Sequence, residues 1–159
     1  MRNATRTAIA PTGTLSLIAG VTSGIEPMFS LHHRREISGI GHVEYFHPFL
    51  ERLLTKEGHD VEKIIESMKS GNAREVECLP SPYKELYVPA LEIEPEWHVK
   101  VQAAFQAHVD NSVSKTVNLR EEASIEDVKR CFLLAHELHC KGITVYRNNS
   151  KRNQIIQMD

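Results

Sequence analysis

"SVSKTVNLREEASIEDVKRCFLLAHELHCKGITVYR", residues 112–147, decides the fold class. Its first part, 112–119, carries Val113 and Val117 in a β-branched run that reads as a strand. "SIEDVKRCFLLAHELHCKG", 124–142, is the clearest helix in the chain. Ser124 and Asp127 form a capping-box-like pair at its start, and Gly142 sits just past its end. "ITVYR", 143–147, reads as a strand again. Strand, helix, strand at this spacing is a βαβ unit, normally parallel and right-handed. The expected class is therefore α/β, with helices covering a parallel sheet.

Working upstream, "PEWHVKVQAAFQAHVD" opens with Pro95 at a first-turn position and predicts a helix whose Trp97, Val101, Ala104, Phe105 and Val109 share an apolar face. Residues 72–94 contain Pro80, Pro82 and Pro89 and read as an irregular connection. "DVEKIIESMKSG", 60–71, predicts a helix capped by Asp60 and stopped at Gly71. "VEYFHPFLERLLTKEG", 43–58, predicts another, with Phe46, Phe49, Leu50, Leu53 and Leu54 on one face and Gly58 closing it. "PMFSLHHRREI" alternates only in part, a weak strand pattern. "TRTAIAP", 5–11, reads as a short strand, and "TLSLIAG", 14–20, as a short helix ended by Gly20.

The 159 residues amount to about one domain, read as a single segment. Apolar and charged fractions of 41% and 25% are those of a soluble globular protein. A net charge of −2 gives no electrostatic footprint for nucleic acid or a membrane surface. No run of 18 apolar residues is present, so no transmembrane helix is expected, and the N-terminus has no signal-peptide core. Cys78, Cys131 and Cys140 are odd in number and form no CxxC pair, which favours a reducing, cytoplasmic setting.

"APTGTLSLIAGVTSGIEP", 10–27, is rich in Gly, Thr and Ser around a short apolar core. Amides at a helix start carry partial positive charge, and Thr12, Thr14 and Ser16 add hydroxyls, so an anion can sit there. Gly13 would allow close approach. No GK[ST] follows, so this is not a P-loop. The alternative is a capped loop without ligand. His136 and Cys140 stand at i and i+4, but two ligands do not make a zinc site, and no metal is expected. Cys78, with Glu75 and Glu77 nearby, lacks the electropositive surroundings of a reactive thiol. Asp110 and Asn111, at the junction entering a strand, read either as capping a helix end and turn or as taking a ligand role. Tyr146, at the exit of the last strand, is a candidate to line a site or simply to pack.

Three ordered stretches, "RNATRTAIAPTGTLSLIAGVTSGIEP", "EWHVKVQAAFQAHVDNSVSKTVNL" and "CKGITVYRNNS", together resemble the C-terminal part of the catalytic barrel of ribonucleotide reductase. The closest likeness is to the adenosylcobalamin-dependent (class II) reductases. The resemblance implies the last strands and helices of a ten-stranded α/β barrel. It implies that Thr12, Gly13, Thr14, Leu15 and Ser16 bind the phosphates of a ribonucleotide substrate, with Ile25, Glu26 and Pro27 closing the loop. Tyr146 and Arg147 stand where reductases fed by a second subunit carry a tyrosine pair, so a long-range radical relay is not expected. The family's radical and redox cysteines have no match in this chain, so no catalytic residue is assigned. Activity would require an N-terminal reductase chain or segment, a dithiol reductant and adenosylcobalamin. The complete enzyme would supply deoxyribonucleotides for DNA replication by radical chemistry, and the lone chain is expected to be inactive. The rival readings are a non-catalytic nucleotide- or phosphate-binding module and an inactive fragment.

Overall fold

The computed structural model describes residues 2–37, 41–68, 76–150 and 156–157. In chain order these contain α1 (Gly13–Ala19), β1 (His32–Ile37), β2 (Gly41–Phe46), α2 (Pro48–Lys56), α3 (Val61–Met68), α4 (Ser81–Leu86), a 3-10 turn (Ala90–Glu92), α5 (Pro95–Gln106), β3 (Thr116–Leu119), α6 (Ile125–Glu137), β4 (Thr144–Arg147) and β5 (Ile156–Gln157). The chain divides into two compact units, Met1–Pro27 with Ala90–Lys151, and Met28–Pro89 with Arg152–Asp159.

The first unit holds the expected βαβ. β3 and β4 pair in parallel from Thr116↔Thr144 to Leu119↔Arg147, with α6 connecting them. Ser124 accepts from the Asp127 amide while the Asp127 carboxylate accepts from the Ser124 amide, so the capping box is complete. The stop differs from the expected one. α6 ends at Glu137, and His139, not Gly142, takes the left-handed conformation (φ 58°). The Cys140 amide then donates to Ala135 O, which satisfies a terminal carbonyl and frees 140–142 to lead into β4. The strand expected over 5–11 is reduced to one parallel bridge, Ile9↔Val113, beside the same sheet. Val99, Val117, Leu119, Cys131 and Ala135 make the apolar core.

α5 begins at Pro95 as expected, but it buries the other face. His98, Val99, Gln102 and Gln106 are buried, while Trp97 is 58% exposed and Val101 and Phe105 are also open to solvent. The reason is hydrogen bonding rather than hydropathy. The Gln102 amide group donates to Val113 O and Gly142 O, and that of Gln106 to Val109 O and Asn111 O. These carbonyls flank the starts of β3 and β4 and have no ladder partner there, so polar side chains satisfy them.

The second unit is a three-stranded antiparallel sheet in the order β2-β1-β5, with α2, α3 and α4. The weak strand pattern before residue 37 is realised as β1. The helix expected over 43–58 is split. Gly41–Phe46 pairs with Ile37–His32 as β2, and His47 caps α2 ahead of Pro48, its Nδ1 accepting from the Leu50 amide. Strand pairing therefore overrides the helical spacing up to Phe46, and Phe49 turns outward while Leu50 and Leu54 are fully buried. Gly58 (φ 77°) closes the helix, as read. Asp60 caps α3 through the Lys63 amide, and Gly71 lies outside the described residues. The stretch 72–94, read as an irregular connection, carries α4 and the 3-10 turn within its described part. Pro82 stands in the first turn of α4, where its missing N–H costs nothing. Leu31, Leu50, Leu54, Ile64, Met68, Val76, Leu79 and Tyr87 form this unit's core.

The fold class is α/β. The described strands form one antiparallel and one parallel sheet and close no barrel.

Candidate functional site

The candidate site starts where the chain leaves the Ile9↔Val113 bridge. Thr12 caps α1 in the left-handed conformation, φ 48° and ψ 28°, an uncommon place for a β-branched residue. Its hydroxyl accepts from the Gly24 amide at 3.0 Å, so the loop after α1 folds back onto the helix start. Gly24 has φ 53°, and a Cβ there would meet Ala10 O at 3.1 Å, so both conformation and space favour glycine. The first intrahelical bond is Ser16 N to Thr12 O. The amides of Gly13, Thr14 and Leu15 precede it and have no acceptor within the helix. Gly13, Thr14 and Leu15 are exposed, and Thr12 and Ser16 are half-buried. The Ser16 hydroxyl is engaged locally, donating to Gly13 O at 2.7 Å. Backbone amides, more than hydroxyls, thus remain for an anion. Gly20 (φ 66°) ends the helix as read from the sequence.

The loop continues to Glu26, which does more than close it. One carboxylate oxygen accepts from Lys115 Nζ at 2.6 Å, the other from the Thr116 amide at 2.6 Å. Lys115 also donates to Thr116 O at 2.7 Å and meets His98 Nδ1 at 2.9 Å. His98 Nε2 lies 3.0 Å from Ala90 O, so Nε2 carries the proton and Nδ1 accepts from the lysine. Burial, then the neighbouring Lys115 cation, pushes the His98 pKa down, which keeps the ring neutral. Burial also lowers the Lys115 pKa, and Glu26 opposes that shift. This trio was not recognised from sequence. A signal existed: Val113, Lys115, Val117 and Leu119 alternate onto one strand face, and a lysine in such a series must find partners.

Asp110 and Asn111 act over a long range rather than as local caps. The Asp110 carboxylate accepts from the Arg6 and Thr7 amides, which hold its pKa below the usual carboxylate range, and Asn111 donates to the Thr5 hydroxyl. They tie the N-terminal segment beside β3.

Tyr146 is half-buried and in register with Asn118. Val117 and Val145 pack with α5 and α6 residues, so alternation puts Asn118 and Tyr146 on the opposite sheet face. Two clefts flank this sheet, one of about 560 Å³ that includes Ala8–Pro11, Gln102 and Gly142, and one of about 430 Å³ between Trp97, Arg120 and Arg130. Neither is lined by Thr12–Ser16 or Tyr146. Among the described residues no group of three or more His, Cys, Asp or Glu is arranged to hold a metal ion. Cys131 is buried and Cys140 half-buried, and burial raises both thiol pKa values, so both stay protonated. Cys78 donates to the Ser67 hydroxyl at 3.5 Å; Glu75 lies outside the described residues.

A family model, "Ribonucleotide reductase, barrel domain", matches residues 1–146. The chain belongs to the ribonucleotide reductase barrel-domain family. It is 43% identical over 157 residues to a vitamin B12-dependent ribonucleoside-diphosphate reductase of Thermoplasma acidophilum, covering 98% of this chain and 20% of that one. It is 44% identical over 156 residues to the enzyme of the same name from Mycobacterium tuberculosis, covering 98% and 22%. Among solved structures, the class Id ribonucleotide reductase alpha subunit of Actinobacillus ureae superposes with a TM-score of 0.69 at 25% identity, over 87% of this chain and 25% of that one. The chain thus spans about a fifth of the length of the curated reductases it matches. Among the described residues of this reductase segment, no helix is long and apolar enough to cross a membrane.

Proposed function

We propose that the chain is the C-terminal segment of the catalytic barrel of an adenosylcobalamin-dependent ribonucleotide reductase, and that Thr12–Ser16 hold the substrate's phosphates. The carrying observation is the start of α1, where three exposed amides lie together on a turn fixed by the Thr12–Gly24 bond. Such a cluster complements a phosphate through backbone donors. Tyr146 and Asn118, on the sheet face away from α5 and α6, would line the same interior. In the complete enzyme these strands would be the last of a ten-stranded α/β barrel, and the whole of 1–159 one continuous part of it.

The activity assigned to the complete enzyme is reduction of ribonucleotides to deoxyribonucleotides, in the cytoplasm, with a dithiol reductant and with the radical supplied by adenosylcobalamin. The two clefts described above, about 560 and 430 Å³, suit drug-sized ligands rather than a corrinoid, so neither is assigned as that cofactor's seat. The segment's own role is to bind and orient substrate, and the N-terminal part of the reductase would carry the reacting groups.

The test is Thr14→Asp in the complete reductase containing this segment. Thr14 is exposed, so the fold should be retained while a carboxylate repels the phosphates. The expected result is a KM for ribonucleotide raised at least about tenfold, the equivalent of 1.4 kcal/mol. An unchanged KM would show that the phosphates bind elsewhere.

A further inference from the structure

In the trio Glu26, Lys115 and His98 the lysine and histidine are buried and Glu26 is half-buried; all three are hydrogen-bonded to one another or to backbone, and the phosphate reading does not use them. The Lys115 side chain is 1% exposed and the Glu26 side chain 22%. An ammonium group has three donors, and here all three have acceptors, from three different parts of the first unit: Glu26 after α1, His98 on α5, and the Thr116 carbonyl of β3. His98 is itself fixed by Ala90 O. A lysine held this way has one geometry, and it fixes the carboxylate it faces.

From Glu26 a short covalent and hydrogen-bonded path leads to the candidate site. The Glu26 amide donates to Ser23 O, making a tight turn. Within that turn the Gly24 amide donates to the Thr12 hydroxyl. Thr12 is the left-handed residue that sets the direction of the Gly13–Leu15 amides. A β-branched residue keeps that conformation only where its surroundings hold it.

We propose that Lys115 and Glu26 are positioning residues: the ion pair pins the returning loop so that Gly24 holds Thr12 left-handed and the amides of Gly13–Leu15 stay aimed outward together. The anion part of this inference rests on the phosphate reading above, but the loop-pinning part does not.

The experiment uses the 159-residue chain, isotopically labelled, with three variants: Glu26→Gln, Lys115→Met and the double variant. Amide hydrogen exchange is read at Gly24, Ser16 and Thr116, with Val117 and Leu119 as controls for β3. Pyrophosphate is titrated in the same samples, following the Gly13, Thr14 and Leu15 amides. Each single variant should speed Gly24 and Ser16 exchange about tenfold while Val117 and Leu119 stay protected, because local opening is decoupled from the sheet. Each should weaken pyrophosphate binding by about the same factor. The double variant should be no worse than either single one, since both act through one contact.

If the wild-type chain ignores pyrophosphate but the variants still free Gly24, the phosphate reading fails and the pinning stands. If Gly24 and Ser16 exchange as in wild type in the variants, the pinning is overturned. Loss of Val117 and Leu119 protection in step with Gly24, in the neutral double variant as well as the singles, would also overturn it, showing a general structural role. Glu26→Gln leaves a buried lysine without its counter-charge and is the variant most prone to unfold. Lys115→Met keeps the apolar stem and decides the question in that case.

Discussion

α5 and α6 cover the same parallel sheet, and they do it by different means. α6 turns small residues, Cys131 and Ala135, toward Val117 and Leu119 and leaves Phe132 and Leu133 outside. α5 turns Val99 inward together with the polar His98, Gln102 and Gln106, and leaves Trp97 and Phe105 outside. One helix is held by close apolar packing, the other by Val99 and by side-chain bonds to backbone carbonyls. The same contrast separates the two units: the second has a conventional aliphatic core around Leu50 and Leu54. The inverted helix is the one that reaches the candidate site, through His98 and Lys115. Its polar face is therefore both a fastening and part of the scaffold behind Glu26.

The contrast can be broken first where packing dominates. Leu54→Ala removes a fully buried side chain and should cost about 2–5 kcal/mol, read by denaturant unfolding of the second unit. A cost under about 1 kcal/mol would mean that this core is looser than its burial implies. Gln102→Leu is the matching test on α5. It conserves bulk but orphans Val113 O and Gly142 O, and should destabilise the first unit by about 1–3 kcal/mol for each carbonyl left dry. A neutral or stabilising result would show that those carbonyls find other donors, and that α5 tolerates an apolar inner face after all.

A pH series sharpens the comparison further. His98 has its pKa lowered in the folded state, so below the unfolded value of about 6.5 the unfolded chain binds a proton that the native one refuses. Stability of the first unit should thus be full above that pH and fall as pH drops from there toward the folded pKa. In His98→Gln that part of the slope should vanish; an identical slope in both proteins would remove His98 as its source. Ser124→Ala breaks the capping box of α6 and should cost about 1 kcal/mol, measured as a shift of the thermal midpoint. Phe105→Ser, on the outer face of α5, should change the stability of this chain by less than about 0.5 kcal/mol. A larger loss would mean that Phe105 packs in solution despite its exposure.

Much of the first unit was legible in the chain itself. The capping box at Ser124, Pro95 at the start of α5 and the glycine stop at Gly20 depend on neighbours within a few residues, so local sequence suffices, and the βαβ followed from the order of strand, helix and strand signals. The glycine- and threonine-rich loop at the start of α1 was likewise visible as a cluster of small residues at a helix start. What local sequence misjudged had distant causes. Residues 43–46 are helical by spacing and a strand by pairing with β1. Asp110 looked like a turn cap and instead grips the amides of Arg6 and Thr7, more than a hundred positions away.

By itself the sequence determined the α/β class, the order of the helices in the last third and the reductase family likeness, because periodicity, caps and ordered motifs are written in short range. Only the tertiary structure decided which face of α5 is buried, where Lys115 finds its three acceptors, and how Glu26 ties the loop after α1 to β3. Those outcomes depend on which backbone groups remain unpaired once strands from separate parts of the chain have met, and no single segment carries that information.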